Sequence, residues 1–500
     1  MKAFLHKHGA LLSAVVVALL FVVLYAVDMV RNDSFLMLLL PAAAVVLWLA
    51  VARLEYALLA VALLTPFSIN LDLFDGMELS LPAEPLMILC MGVVLFRLLL
   101  QRGYDRRLLR HPVTMILMGM LAWMAVTSAT SVLPTVAFKR TLSQLWFIVP
   151  FYFAAARIFQ DRKRIRQFYW AYALGLAVVV AITTAKTLGN FSDLQTLHRV
   201  MRPFYNDHTA YGCVLALFLP IGVHLLLSRD GGLWKRIAAL ALVALFGTGL
   251  FLSYCRAAWI SIVAALGVYL LVRMGMKLKW MVALFGLGVG LFFVHQGDVL
   301  YKLGKNRQDS SYTLADQVKS ISNISTDASN LERLNRWASA FRMWGERPLF
   351  GTGPGTYQFL YGSYQKSYQL STISTNAGDL GNAHSEYIGP LTEQGVPGAA
   401  LVIALFLATF ATGVRVYRTA QDPAVGRLAL ALALALLTYY VHGVFNNFLD
   451  TDKLSVPFWA FTAAVVALDV YSEKKDGSLV AGVADEAAVG TESIGAGEKA

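Results

Sequence analysis

Long apolar runs, broken by short polar stretches, set the rhythm of this chain. They lie at about 10–30, 35–52, 55–70, 84–100, 112–131, 143–159, 168–187, 209–228, 237–254, 257–273, 280–295, 396–415, 427–446 and 453–471. Each is close to the roughly 20 apolar residues that a hydrocarbon slab of about 30 Å asks of a spanning helix. The pattern predicts an all-α polytopic integral membrane protein of about 14 transmembrane helices. The first run follows Lys2 and Lys7 like a signal peptide, but no convincing cleavage site follows it, so it is read as a retained helix.

Charge tests the count, because Lys and Arg crowd the cytoplasmic loops of a polytopic protein. Arg97, Arg102, Arg106, Arg107 and Arg110 share one loop, and Arg162, Lys163, Arg164 and Arg166 the next even one. The series continues with Arg229, Lys235 and Arg236, then Arg273, Lys277 and Lys279, then Arg415, Arg418 and Arg427. All five clusters fall on one side, which places both termini in the cytoplasm. One long extracytoplasmic loop, about 296–395, stands opposite. The organisation expected is N-terminal transmembrane helices over 1–187, and central helices with Arg-bearing outer loops over 188–295. A periplasmic loop domain over 296–395, C-terminal helices over 396–471 and a disordered cytoplasmic tail over 472–500 complete it. The tail is rich in Gly, Ala, Ser and Glu and has almost no large apolar residue.

Composition agrees: 57% hydrophobic against 15% charged residues, with mean hydropathy +0.59, excludes a soluble, disordered or fibrous chain. The net charge of +11 is accounted for by orientation and contact with anionic membrane lipids, and no nucleic-acid-binding motif accompanies it. Cys90, Cys213 and Cys255 lie far apart with no Cys-x-x-Cys, so neither a disulfide framework nor a zinc site is expected.

Ionisable residues at membrane depth are the default candidates for function. Arg256, in Ser253-Tyr254-Cys255-Arg256-Ala257-Ala258-Trp259, sits at the outer end of a tight helical hairpin; the plain alternative is an interfacial arginine beside a belt tryptophan. The stretch His198 to His208 puts Arg199 and Arg202 just before a helix start, where guanidinium groups and helix-end amides suit phosphate oxygens. The alternative there is a solvated loop with Asn206 or Asp207 as the helix cap. Within the long loop, residues 331–344 space Leu331, Leu334, Trp337, Phe341 and Trp344 on one helical face, with Glu332 and Arg336 paired on another. Such a helix is expected to lie across the mouth of the bundle. Pro348 to Gly355 stops it in glycine-rich turns. These do not make a phosphate loop, because no Gly-Lys-Ser/Thr follows; a close approach of backbone to another segment is expected instead. His384, in Asn382-Ala383-His384-Ser385-Glu386-Tyr387, suits a general base, although a lone histidine is more often a hydrogen-bonded surface residue.

Taken in order, these segments resemble the O-antigen ligase superfamily, which includes O-antigen polymerases and some protein O-oligosaccharyltransferases. The resemblance covers roughly 190–450. It rests on Asn206, the Arg-Ala-x-Trp turn at Arg256 to Trp259, and Arg-x-x-x-Trp at Arg333 to Trp337. Pro-Leu-Phe-Gly-x-Gly-x-Gly-Thr-Tyr at Pro348 to Tyr357 and His-Ser-Glu-Tyr with Gly-Val-Pro-Gly at His384 to Gly398 complete the series. It implies a GT-C-like membrane glycosyltransferase of the inner membrane with a periplasmic site. Such an enzyme moves a saccharide from an undecaprenyl-diphosphate carrier to an acceptor hydroxyl, with inversion and without metal or cofactor. The partners implied are that donor, a lipid A core or glycan acceptor, and membrane lipids. His384 would be the base, Arg256 with Arg202 or Arg199 would meet the diphosphate charge, and Arg333, Asn206 and Glu386 would support them. An O-antigen or exopolysaccharide polymerase is the alternative within the superfamily. A flippase or transporter is the alternative outside it, and an assembly scaffold a third.

Overall fold

The computed structural model describes residues 39–74, 77–100, 104–188, 199–228, 232–281, 328–370 and 381–473, with 283 and 374. The runs expected at about 10–30 and 280–295, the start of the long loop and nearly all of the tail lie outside these. The chain divides into two compact units at Ala57/Leu58. The first contains α1 (Leu39–Ala52), and α2 (Leu54–Leu64) crosses the division.

In the second unit, β1 (Ile69–Phe74) and β2 (Met77–Leu81) pair antiparallel, Ile69 opposite Leu81, where the sequence suggested only a loop. The helices α3 (Ala83–Leu100), α4 (Pro112–Ala129), α5 (Pro134–Ile148), α6 (Arg162–Leu188), α7 (His208–Leu227) and α8 (Gly232–Leu252) follow. After α9 (Arg256–Arg273) come the loop helix α10 (Ala328–Glu346) and then α11 (Ile388–Thr419), α12 (Pro423–His442) and α13 (Asp452–Tyr471). Among the described residues nine of these are long and apolar enough to cross a membrane. The protein is an all-α multi-pass membrane protein. Helix α5 continues through a π-helical segment, Val149–Ala154, to Ile158; Pro150 there has no N–H to donate, which favours the wider turn.

The ends are written in the sequence. Asp422 accepts the Ala424 amide ahead of Pro423, and the His111 ring accepts the Val113 amide ahead of Pro112; both prolines stand where a missing N–H costs nothing. Helices α12 and α13 are apolar all round and form the centre of the bundle. Helix α12 touches α7, α9, α11 and α13. Its alternating Leu and Ala let neighbours close in: a side chain on Gly413 would come within 2.6 Å of Ala433 Cβ. Polar groups pin α13 at both ends. At one end Lys453 Nζ donates to Ser68 O at 2.8 Å, and at the other Asp469 accepts from Arg415 at 2.6 Å and meets His111 at 3.2 Å.

Candidate active site

Three of the sequence candidates are brought to one end of the bundle by different elements. Helix α7 starts with Asp207 as its cap, the carboxylate accepting from the amides of Thr209 (2.7 Å) and Ala210 (2.9 Å) and from the Thr209 hydroxyl (2.6 Å). Burial pushes the Asp207 carboxyl up, but these donors outweigh it and hold it below the usual carboxylate range. The cap is therefore Asp207 and not Asn206, which is exposed and offers its backbone oxygen to Arg202 Nε at 3.4 Å. Arg199 and Arg202 are also exposed. Their described hydrogen bonds stay in their own neighbourhood, with Lys186 on Arg202 O and Arg202 N on Arg199 O.

The turn Ser253 to Cys255 docks on the first turns of α7. A side chain on Gly212 would lie 2.7 Å from Cys255 Cβ, so only glycine lets the two come so close. Arg256 then opens α9. Asp207 and Arg333 both stand near enough to the buried Cys255 thiol to act on it electrostatically.

Helix α10 forms as its periodicity predicts, over Ala328–Glu346, but the face it buries is the opposite one. Glu332, Asn335, Arg336, Ser339, Ala340 and Met343 are buried, whereas Phe341 keeps 38% of its surface. Hydrogen bonds tie the polar face together: Arg336 Nε donates to Glu332 at 2.8 Å, Asn335 to Gln365 at 2.7 Å, and Ser374 to Glu332. The Arg336 guanidinium also lies over the Tyr361 ring at 5.0 Å and donates to Asn382 O at 3.2 Å. The reason for the reversal is that paired charges fill this contact with α11 and the 357–364 turns, leaving the aromatic stripe facing the other way.

The glycine-rich turn behaves as the sequence suggested. Thr352 and Gly353 donate to Thr392 O (3.1 Å) and Glu393 O (2.8 Å), and Val396 donates back to Pro348 O (3.0 Å). This contact needs glycine on both sides: Gly353 has φ 113°, and a side chain on Gly395, at φ 69°, would stand 2.1 Å from Leu349 O. It locks the loop domain onto the kink of α11 and so fixes the segment between them.

That segment carries His384. Among the described residues two non-glycines have positive φ, Tyr254 (51°) and His384 (49°), one in each of the turns that bear the candidate Arg256 and the candidate base. Backbone held in this region stores strain of about 1–3 kcal/mol. The Asn382 carboxamide supports it, accepting the His384 amide at 3.1 Å. Desolvation, with Arg333 and Arg336 adding to it, pushes the imidazole down to about 3, against the opposing pull of Asp207 and Glu332. The ring is thus neutral, half-buried and surrounded by cations, a group able to take a proton next to an anion.

Arg333 donates from Nε to Phe445 O at 3.1 Å, in the turn after α12. Two residues hold that turn. Buried Glu386 accepts from Tyr439 Oη (2.5 Å) and the amides of Phe448 (2.9 Å) and Leu449 (3.0 Å), which makes it an anchor of the turn. His442, fully buried, meets Asn446 at 3.1 Å. Sequence reasoning missed His442; the signal available was a lone histidine at the last position of a span.

No curated protein matches the chain in a sequence comparison. Residues 240–403 match the family model described as O-antigen ligase, a segment that includes Arg256, Arg333 and His384. The chain thus has a segment similar to the O-antigen ligase family within a multi-pass membrane protein, which supports an enzyme of the O-antigen ligase or polymerase type.

Proposed function

We propose that the protein transfers a saccharide from an undecaprenyl-diphosphate carrier to an acceptor hydroxyl, a lipid A core sugar, at the periplasmic face of the inner membrane, with inversion. The observation that carries this is the neutral, cation-flanked His384 held in a strained turn within the matched segment. In the reaction, the acceptor oxygen attacks the anomeric carbon as its proton passes to His384, and the bond from that carbon to the diphosphate oxygen breaks. The charge left on the diphosphate is met by Arg256 and Arg333, groups already in place before it develops. Arg199 and Arg202, exposed beside the start of α7, attract the anionic donor as it arrives and do not touch the reacting atoms. Asp207 orients the start of α7; Glu386 holds the turn under Arg333. Fixed guanidinium charge does here what a divalent ion does in other diphosphate chemistry, so the reaction is expected to proceed in EDTA.

Binding the donor also prepares the base. The diphosphate offsets the charge of Arg333, which adds to the desolvation that depresses His384, and the imidazole's proton affinity rises once the leaving group is in place. A transfer assay with lipid-diphosphate-linked oligosaccharide and lipid A core, with EDTA present, tests the reading. Product in the wild type and a loss of at least about a hundredfold in His384→Ala are expected. Elongated donor chains without core transfer would make the protein a polymerase, and the absence of both products from folded protein would overturn the reading.

A further inference from the structure

Beside the His384 loop lies a chamber. Asn382, Ala383 and Ser385 face it, while the flanking His384 answers to Arg333, Arg336 and Asp207. The chamber is a partly open cavity of ≈ 160 Å³ between α4, α5, α11 and α13. At about 10–15 Å³ per water on this measure it has room for on the order of ten waters, near the non-hydrogen count of one sugar ring.

Its walls are built for a ligand that both donates and accepts. Gln394, Asn447 and Trp459 line the cavity, and Gln394 Oε1, Asn447 Oδ1 and Trp459 Nε1 are buried with no hydrogen-bond partner; Gln394 is 7% exposed and Trp459 2%. Around them stand the carboxylates of Glu393 and Asp450 and the guanidinium of Arg140. Unpaired buried polar atoms cost free energy, and a single cation among three acids, Glu386, Glu393 and Asp450, and two amide oxygens does not suit an anion. A neutral polyhydroxyl ring satisfies the set, its hydroxyls donating to the oxygens and accepting from Trp459 and Arg140. Aromatic surface from Tyr357, Phe406 and Trp459 suits the C–H face of such a ring.

We propose that this chamber is the acceptor subsite, holding a sugar ring of the acceptor glycan adjacent to the residue that is glycosylated. The assignment rests on the function proposed above. In an inverting displacement the attacking and leaving oxygens lie on opposite faces of the anomeric carbon. The arginines mark the leaving side, beside α7, α9 and α10; the chamber is lined instead by α4, α5, α11 and α13 and by the residues on either side of the base in its loop.

The test uses the full-length protein in detergent and two variants, Trp459→Phe, which keeps an aromatic ring and removes the N–H, and Asn447→Ala, on the loop. Expected is a rise in the acceptor KM of about tenfold or more with the donor KM unchanged, which also reports an intact fold. Saturation-transfer NMR without donor should show a delipidated core oligosaccharide bound to the wild type and not to the double variant. A second arm with the oligosaccharide repeat unit distinguishes the two glycan sources, since binding of that probe alone assigns the chamber to a growing chain. An unchanged acceptor KM, or a donor KM that rises instead, would overturn the proposal. A wild type that binds oligosaccharide but transfers nothing from a lipid diphosphate would overturn the functional reading while leaving the chamber a saccharide site.

Discussion

His384 shows how far a single residue's environment departs from what its type implies. An ordinary imbalance of imidazole and imidazolium near pH 6.5 would switch the base off by about tenfold per unit on the acid side. Here burial, with Arg333 and Arg336, moves that limb down to about pH 3 in the free protein. The sign follows: the active, neutral form is complete at pH 7 and is lost only as pH falls through the depressed value. The expected result is a kcat/KM profile with no histidine limb between pH 5 and 8, and a kcat profile whose acid limb lies higher, because the bound diphosphate offsets the charge of Arg333. Initial rates over this range at saturating and limiting donor check it, and a limb near 6.5 in kcat/KM would show that the cations do not reach the ring. Substitution of Asn382 by Ala, which removes the acceptor of the His384 amide, is expected to lower kcat by about tenfold or more with little change in donor KM; equal losses in both would point to collapse of the loop. Residue types and spacing singled out Arg256, Arg333 and His384 as candidates, through an ordered series of short segments and not one motif. The partnership of Arg333 with Phe445 O, and of Glu386 with the amides after α12, was not legible in the sequence, since backbone partners more than fifty residues away leave no mark in local pattern.

At the scale of elements, α10 separates what periodicity carries from what it leaves open. The spacing of Leu334, Trp337 and Phe341 was enough to predict the helix, because any amphipathic stripe needs that period. It did not say which stripe meets the protein, because in a membrane protein an apolar face has two places to go. The Glu332 and Arg336 side chains, each 6% exposed, decided it by pairing inside. Breaking one partner of such a pair leaves a buried charge, at a cost of about 3–5 kcal/mol. Glu332→Ala is therefore expected to lower the thermal midpoint in detergent and to abolish transfer. The double change Glu332→Gln with Arg336→Met, which leaves no orphaned charge, should recover most of the stability without the activity. Equal instability of single and double variants in a thermal melt would show that packing, and not charge pairing, holds the helix. The glycine turn follows the opposite logic: its close approach was readable, because Gly-rich sequence signals it directly, but the partner was not. Gly395 read only as a loop-to-helix junction, although Gly353 and Gly395 both stand where any side chain would strike Ser131 or Leu349.

Across the whole molecule the two ends of the bundle differ in chemistry. The basic clusters sit where α3, α9 and α11 end and α6 begins, and α7, α9, α10 and the His384 loop meet at the opposite end. Lys and Arg are retained on the cytoplasmic side of a membrane, so the site end is expected to face the periplasm, where a carrier-linked saccharide is delivered. Cysteine labelling tests this cleanly, because Cys90, Cys213 and Cys255 are all buried and contribute little background. Tyr368, 69% exposed at the site end, and Lys163, exposed at the other, are suitable reporters, neither belonging to the proposed machinery. A small charged maleimide that does not cross the inner membrane should label Tyr368→Cys in intact cells and Lys163→Cys only after permeabilisation. The reverse pattern would put His384 in the cytoplasm, where sugar nucleotides and not lipid diphosphates are the abundant donors, and the proposed donor would fall with the orientation. The same pattern found at both ends at once would mean that the bundle inserts in two orientations, which the one-sided placement of five basic clusters argues against.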